Sequence, residues 1–344
     1  MRVVFRVEGE PTIGLGHVMR CMALAQRLVV CGHDVFFFMS QTSQPYCQNR
    51  TDWLGEILVL PDIDKDAEPQ WLAKKCSDLN ADWLVLDGYQ FDQDYRQSLQ
   101  SNVFKLAVFD DMNNSGALCA DMVINGAPNA ALHSYRLTAP NALLAIGQGY
   151  QVLRQEFLQS INKQWSDRKS LTLIFGGSDP NNLTVLVLQF LHNINASMPI
   201  TIITGAAYNK LSDLADLIKG CALNITHLHD CQNMAEVLVN SKLALSAAGG
   251  SQFELLACAT PSILVVVAEN QKNASQDAAS QGWCKVVNSD DCSADELAMQ
   301  CLSLWQQPEC LSTMHQKALL YPAVDGAKNI VALMSDQKMT SGDV

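Results

Sequence analysis

The sequence predicts an α/β protein made of two doubly wound domains, each built on a parallel sheet. Three observations favour this fold class. The chain has 344 residues, more than one hydrophobic core usually serves. Short apolar, β-branched runs alternate with segments of helical length along the chain. The runs are apolar throughout, as in parallel strands that helices cover on both faces.

The predicted strands fall into two groups. The first group is 3–5, 35–39, 57–60, 83–87, 106–109, 122–124 and 143–146. The second group is 171–175, 200–204, 223–228, 243–247, 262–267 and 285–287. Residues 147–170 show no strand pattern and end in a polar stretch, which predicts a domain boundary near residue 165. The predicted parts are an N-terminal domain over 1–165, a C-terminal domain over 166–334 and a polar tail over 335–344.

Composition excludes several classes of partner. The net charge of −12 argues against a nucleic-acid or anionic-membrane surface, because both need clustered Lys and Arg. The longest apolar run, "ILVVVA" at 263–268, is far too short to span a membrane. The N-terminus has no signal-peptide pattern, so we expect a cytoplasmic protein. The twelve cysteines include no C-x-x-C pair, and His227 and His229 have no third ligand nearby, so we predict no metal and no cofactor.

The segment "PTIGLGHVMRCMALAQRL" follows the first predicted strand. Gly14 and Gly16 allow a tight turn and leave the start of the next helix uncovered. Such a helix start favours an anion. The spacing is not G-x-G-x-x-G, because position 19 is Met, so a dinucleotide site is poorly supported. By spacing alone, His17 is either a helix-start residue facing solvent or the working group of an enzyme.

The second half repeats the arrangement of strand, glycine turn and helix. "LTLIFGGSDPNN" places Gly176, Gly177 and Ser178 after a strand, with a helix expected after Pro180. "LALSAAGGSQFELL" places a second glycine turn before a helix that carries Glu254. Glu254 either accepts hydrogen bonds from a ribose diol or only complements the helix dipole. Together with "AENQ" (268–271), the two turns indicate a phosphate and sugar site at the strand ends.

These motifs resemble a known family over nearly the whole chain. "FRVEGEPTIGLGHVMRCMALAQRL", "LDGYQ", "FDDM", "GYQVLRQEF", "FGGSDPNN", "AAGGSQFELL" and "ENQ" occur in the order found in the nucleotide-sugar hydrolases of pseudaminic acid biosynthesis, the UDP-2,4-diacetamido-2,4,6-trideoxy-β-L-altropyranose hydrolases. The resemblance implies the glycosyltransferase B architecture, in which two Rossmann-like domains face a cleft. It also implies a role for His17 as general base, with Tyr89 and Asn270 near the sugar. The family commonly has Asp where this chain has Glu8, and its segment before Glu254 is often Thr-rich where this chain has "SQF".

The predicted site follows from these motifs and this resemblance. The predicted catalytic residues are His17, Tyr89 and Asn270. The predicted UDP- and substrate-binding residues are Gly14, Gly16, Gly176, Gly177, Ser178, Met234, Gly249, Gly250, Ser251, Glu254 and Gln271.

The implied reaction is metal-independent attack of water on the anomeric carbon of a UDP-sugar, with inversion and release of UDP. In this scheme Asp110 and Asp111 are expected to be structural rather than acid or base. Two other functions stay open: a UDP-sugar-dependent glycosyltransferase of the same architecture, and a UDP-sugar-binding protein without catalysis. Release of UDP and free sugar from a UDP-sugar without an acceptor favours the hydrolase, and absence of turnover favours the other two.

Overall fold

A computed structural model of the protein describes residues 1–10, 14–159 and 163–339. The chain divides into two compact units, each formed around its own sheet. Unit 1 comprises Met1–Glu10, His17–Gln155 and Val324–Val344, and unit 2 comprises Pro11–Gly16 and Glu156–Ala323.

Unit 1 contains a seven-stranded parallel sheet in the order β3-β2-β1-β4-β5-β6-β7. Each strand corresponds to one of the first seven predicted runs, which confirms that part of the fold prediction. The strands are β1 (Arg2–Val7), β2 (Asp34–Met39), β3 (Glu56–Val59), β4 (Trp83–Asp87), β5 (Lys105–Phe109), β6 (Met122–Asn125) and β7 (Leu143–Ile146).

Unit 2 contains a six-stranded parallel sheet in the order β10-β9-β8-β11-β12-β13. These strands confirm the other six predicted runs. They are β8 (Ser170–Ile174), β9 (Ile200–Thr204), β10 (Ile225–His229), β11 (Ser241–Ala247), β12 (Ser262–Val266) and β13 (Cys284–Asn288).

Helices connect the strands in both units. In the first part of the chain they are α1 (Gly16–Val30), α2 (Pro45–Gln48), α3 (Glu68–Asp78), α4 (Gln93–Ser98), α5 (Tyr135–Thr138) and α6 (Gln155–Leu158). The later helices are α7 (Leu183–Asn193), α8 (Leu211–Lys219), α9 (Met234–Asn240), α10 (Ser251–Ala257), α11 (Lys272–Gln281), α12 (Ala294–Trp305), α13 (Pro308–Ala318) and α14 (Gly326–Met339).

The sheet of unit 1 is buried on both faces, which explains why its strands are apolar without alternation. Val3 and Phe5 of β1 pack in one hydrophobic cluster, while Val4 between them packs in the cluster on the opposite face. Successive side chains of a strand point to opposite faces, so both sides of β1 need apolar residues.

The observed units differ from the predicted domains in three places. Gly14, Leu15 and Gly16 cluster with unit 2, although the prediction puts them in the N-terminal domain. The chain passes from unit 1 to unit 2 at Gln155, ten residues before the predicted boundary. Near the C-terminus, α14 belongs to unit 1, although most of it lies in the predicted C-terminal domain. Ile330 and Met334 of this helix join the core around β1, and Met334 accepts a hydrogen bond from the Trp83 indole. Residues 335–339 of the predicted polar tail continue α14, and residues 340–344 lie outside the described residues.

Candidate active site

The candidate site of unit 1 lies where its strand order reverses. β1 has β2 on one side and β4 on the other, so the carboxyl ends of β1 and β4 flank this switch point. Open parallel sheets bind ligands at such points. α1 follows β1 and carries His17 in its first turn, and Asp87 is the last residue of β4.

His17 and Asp87 form a close pair. The His17 Nδ1 atom lies 2.6 Å from Asp87 Oδ1. Asp87 is fully buried, and His17 is only 9% exposed. The interpretation of His17 as a helix-start residue facing solvent is therefore wrong.

Arg20, one turn further along α1, connects Asp87 to a second carboxylate. Its Nε lies 2.5 Å from Asp87 Oδ2, and its Nη2 lies 2.7 Å from Asp87 Oδ1. Its Nη1 lies 2.7 Å from Asp111 Oδ1. The guanidinium also lies over the Phe109 ring, 4.8 Å from the centroid. Two carboxylates and one guanidinium thus form a compact ionic cluster beneath His17.

This cluster keeps both carboxylates ionised. Burial by itself opposes ionisation of Asp87, but the charge of Arg20 and the hydrogen bonds from Arg20 and His17 lower its pKa to about 2. Burial likewise opposes ionisation of Asp111, and the charge of Arg20 lowers the pKa of that carboxyl. Burial disfavours the charged guanidinium of Arg20, yet the two carboxylates raise its pKa well above the usual value.

Tyr89 completes the cluster from the loop after β4. Its hydroxyl donates to Asp111 Oδ2 at 3.0 Å. Its ring meets the His17 ring edge-on, with centroids 4.9 Å apart and planes at 85°. Gly88, with φ +151°, makes the turn that lets Asp87 point into the core while Tyr89 stays 57% exposed.

The pair fixes which nitrogen of His17 is available for chemistry. An ionised carboxylate only accepts hydrogen bonds, so the 2.6 Å contact assigns a proton to Nδ1. A neutral imidazole then has its lone pair on Nε2. A buried carboxylate that orients a histidine in this way is the arrangement that general-base catalysis uses.

Two other acidic residues near the site have structural partners. The Asp110 carboxylate accepts from the backbone N–H of Asn113 at 2.6 Å and from the Tyr135 hydroxyl at 2.8 Å. Glu8, where the family commonly has Asp, is buried and accepts hydrogen bonds from Ser40 and Arg6. Glu8 therefore holds the loop after β2 against the end of β1.

The candidate site of unit 2 also lies at its switch point. β8 has β9 on one side and β11 on the other, and β12 follows β11 in the sheet. The three predicted loops come directly after β8, β11 and β12. Because these strands are parallel, their carboxyl ends meet at one edge of the sheet, and the fold brings the loops together there.

The loop after β8 differs from the prediction at the start of its helix. α7 begins at Leu183 and not directly after Pro180. The buried Asp179 carboxylate accepts from the backbone N–H groups of Leu183 and Thr184, at 2.9 and 2.8 Å. Asp179 therefore already caps this helix. Gly176, which has φ +79°, has open space around it, so this is the part of the loop that stays accessible.

The chain approaches this loop closely from β9. A Cβ atom on Gly205 would lie 2.5 Å from the Cα of Gly177. Leu15, in the part of the chain that clusters with unit 2, also lies against Gly177. Gly14 has φ +85°, and neither Gly14 nor Gly16 has an atom within 4 Å of an ideal Cβ.

The loops after β11 and β12 contact each other through Gln271. Its Oε1 accepts from the backbone N–H of Val267 at 2.9 Å, and its Nε2 lies 3.7 Å from an ideal Cβ on Gly249. Gly250 is the N-cap residue of α10, with open space around it.

The remaining predicted residues have varied settings. Ser251 and Glu254 lie in the first turn of α10, both half-buried, and Ser178 is half-buried in the loop after β8. Met234 begins α9 and is 6% exposed, which leaves little of its side chain for a ligand. The side chain of Asn270 lies outside those that the structure describes.

Sequence reasoning missed the residues that support His17, namely Arg20 and Asp87, and it gave Asp111 no place in the site. Arg20 lies three residues after His17, which puts both on one helix face. Asp87 ends a wholly apolar strand, a position where a charged residue is unusual. These two signals were present in the sequence.

Two structural findings relate to the predictions that the protein binds no metal and does not span a membrane. Within residues 1–10, 14–159 and 163–339, no group of three or more His, Cys, Asp or Glu is placed to hold a metal ion. In the same ranges no helix is long and apolar enough to cross a bilayer. His227 and His229 both contact the Thr204 hydroxyl, at 2.8 and 3.1 Å.

Comparison with known proteins finds one domain family and several distant relatives. Residues 171–330 match the Glycosyltransferase family 28 C-terminal domain. An uncharacterised protein of Methanocaldococcus jannaschii is 24% identical over 80% of this chain, which spans 58% of that protein's length. The UDP-2,4-diacetamido-2,4,6-trideoxy-beta-L-altropyranose hydrolase of Campylobacter jejuni is 25% identical over 82% of this chain and 98% of its own.

Solved structures agree on the fold. MurG of Acinetobacter baumannii superimposes with a TM-score of 0.64 at 15% sequence identity, covering 97% of this chain and 99% of its own. The fold is therefore glycosyltransferase-B-like, with a second unit that resembles the C-terminal domain of glycosyltransferase family 28.

Proposed function

We propose that the protein hydrolyses a UDP-2,4-diacetamido-2,4,6-trideoxy sugar, in the β-L-altropyranose form, to UDP and the free sugar. The observation that carries this proposal is the His17–Asp87 pair at the switch point of unit 1. The similarity to the Campylobacter jejuni hydrolase, which extends over nearly that whole enzyme, supports the choice of substrate.

In the proposed reaction, Nε2 of a neutral His17 takes a proton from water. The water oxygen forms a bond to the anomeric carbon while the bond from that carbon to the UDP oxygen breaks. UDP leaves with the bonding electron pair, and the attack inverts the anomeric centre. The two carboxylates and one guanidinium beneath His17 carry one net negative charge, which the proton on His17 balances.

The proposed roles are divided between the two units. Unit 1 supplies His17 as the base and Tyr89 beside it, while Asn270 is assigned to the sugar by the resemblance alone. Unit 2 supplies the nucleotide site, with Glu254 on the ribose and the loops after β8 and β11 near the diphosphate. The leaving group needs charge stabilisation more than a proton, because the second pKa of a terminal phosphate is about 6. Backbone N–H groups of glycine loops can provide it.

A second candidate function is transfer of the sugar to a hydroxyl acceptor. The match of residues 171–330 to a glycosyltransferase domain favours it. The chemistry differs only in the nucleophile, since the same Nε2 atom can deprotonate an alcohol. The partner of both reactions is a UDP-sugar, with no nucleic acid and no membrane.

Incubation with a panel of UDP-2,4-diacetamido sugars in H₂¹⁸O, without any acceptor, tests the proposal. We expect UDP and free sugar at equal rates, with ¹⁸O in the sugar and none in UDP. Label in UDP would place the attack at phosphorus and contradict the mechanism. Turnover that appears only after an acceptor is added favours the transferase, and UDP binding without turnover favours a binding protein.

A further inference from the structure

We propose that Arg20 is a positioning residue that holds the His17 imidazole and the Tyr89 hydroxyl in one fixed arrangement, acting through Asp87 and Asp111. This inference rests on the proposed function for its catalytic meaning. Its structural part can be tested without turnover.

The contacts of Arg20 leave it little capacity for a ligand. Its Nε and Nη2 donate to Asp87, and its Nη1 and Nη2 donate to Asp111, at 2.5 to 3.2 Å. Its Nη2 also lies 3.3 Å from His17 Nδ1, so Arg20 touches the imidazole directly as well as through Asp87. One face of the guanidinium is covered by Phe109, and the Arg20 side chain is 25% exposed. An arginine meant to bind a phosphate would keep donors free, whereas all three of these nitrogens already donate to carboxylates.

A guanidinium is planar, so its hydrogen bonds to both carboxylates fix their relative orientation. Asp87 then contacts His17 Nδ1 at 2.6 Å, and Asp111 accepts from the Tyr89 hydroxyl at 3.0 Å. The edge-on contact between the two rings, 4.9 Å between centroids, closes this set of contacts into a ring. His17 and Tyr89 are therefore held by one common group although they lie on different elements.

The other interpretation is that Arg20 serves only to stabilise the fold. Such a role predicts that a cation at position 20 is sufficient, since it would still neutralise the two carboxylates. The proposed role requires the fork of the guanidinium, which an ammonium lacks. Arg20→Lys separates these cases, because it keeps the charge and most of the side-chain volume.

We expect Arg20→Lys to lower kcat by about 10- to 100-fold, as loss of a well-oriented catalytic group does, with the Kd for UDP changed less than twofold. ¹⁵N-histidine spectra should show Nδ1–H for His17 in the wild type and a mixture of tautomers in Arg20→Lys. Arg27→Lys is the matched control. Arg27 lies on the same helix and pairs with Asp325, away from His17. The His17 spectrum and the kcat of Arg27→Lys should therefore match those of the wild type.

A double-mutant cycle tests the second half of the arrangement. If Asp111 acts on Tyr89, the pair Asp111→Asn and Tyr89→Phe should lower kcat no more than the larger single change does. Additive losses would overturn this link. Wild-type kcat and an unchanged His17 tautomer in Arg20→Lys would overturn the positioning role, and a loss of UDP affinity with unchanged kcat would make Arg20 a ligand-binding residue. If the wild type turns over no UDP-sugar, the proposed function fails, while the tautomer still decides the role of Arg20.

Discussion

The two switch points of the molecule present different chemical groups. In unit 1 the carboxyl ends of β1 and β4 carry an ionic cluster in which Asp87 and His17 are buried and Arg20 and Asp111 are partly exposed. In unit 2 the carboxyl ends of β8 and β11 carry glycine turns, and the space around Gly176 and Gly250 is open. The same topology therefore offers oriented side chains in one unit and exposed backbone in the other.

This difference fits our proposal that unit 1 carries out proton transfer and that unit 2 binds the anion. A general base needs a lone pair in a fixed direction, which only a side chain with its own partners can provide. A diphosphate needs several N–H donors close to its oxygens, which backbone without side chains provides best. Substitutions that alter one function and leave the other unchanged test this comparison.

The largest effect is expected from His17→Asn. We expect kcat to fall by about 10²- to 10⁴-fold, the usual contribution of a general base. The Kd for UDP should stay within twofold of wild type, because unit 2 holds the nucleotide in our proposal. Asn is preferred over Ala because its amide can still donate to Asp87. The measurements are steady-state kinetics with the UDP-sugar and calorimetric titration with UDP.

His192→Asn is the control for His17→Asn. His192 lies in the last turn of α7, at the opposite end of that helix from the glycine loop, so kcat should not change. A His17→Asn variant that keeps more than half of its turnover would contradict the role of His17 as base.

The strands and the glycine turns of both units could be predicted because each has a local cause. Short apolar β-branched runs favour buried parallel strands, and a glycine at positive φ, such as Gly176, makes a turn whatever its distant neighbours are. His17 could be singled out for the same reason, since it directly follows such a turn.

The contact between His17 and Asp87 could not be predicted, because it depends on strand order. Asp87 is 70 residues away and reaches His17 only because β4 pairs with β1. The return of α14 to unit 1 has a similar cause. The apolar face of a helix shows that it packs on something, but only tertiary contacts select the core around β1.

Gly205→Ala affects unit 2 alone. A Cβ on Gly205 would lie 2.5 Å from the Cα and 2.7 Å from the carbonyl oxygen of Gly177, and neither backbone atom can move without shifting the loop. We expect the free energy of unfolding to fall by about 1–3 kcal/mol, measured in urea, and UDP to bind more weakly.

Gly220→Ala is the matched control in the same unit, since its nearest contacts lie at 3.6 Å. Its stability should stay within about 0.5 kcal/mol of wild type. Equal UDP affinity in Gly205→Ala and wild type would show that the loop after β8 does not hold the nucleotide.

Glu254→Ala tests the ribose contact within the same unit. Loss of hydrogen bonds to a charged acceptor should weaken UDP binding by about 1–3 kcal/mol. Uracil and UMP offer a further comparison, since only the ribose-containing ligand should lose affinity. Unchanged UDP affinity in a folded variant would remove Glu254 from the site.

The acid stability of unit 1 should depend on Asp87. Its pKa in the folded protein, about 2, lies below the usual value of 3.8, so the unfolded chain binds more protons between these pH values. Asp87 therefore stabilises the fold fully above about pH 4, and this contribution of roughly 2 kcal/mol is lost as pH falls toward 2. Asp87→Asn should flatten the dependence of unfolding free energy on pH in this range.

The control for that experiment is Asp62→Asn, which removes an exposed carboxylate. It should leave the slope between pH 2 and 4 as in the wild type. Equal slopes in Asp87→Asn and the wild type would show that the pair with Arg20 does not depress the Asp87 pKa.

The smallest effect is expected from metal removal. Arg20 already lies between the carboxylates of Asp87 and Asp111, so a divalent cation there would have to displace a guanidinium. On the nucleotide side, our proposal assigns charge stabilisation of the leaving UDP to backbone N–H groups. We expect kcat/KM to stay the same after dialysis against EDTA. A loss of activity that Mg²⁺, Mn²⁺ or Zn²⁺ restores would mean that the backbone of unit 2 is not sufficient to bind the departing diphosphate.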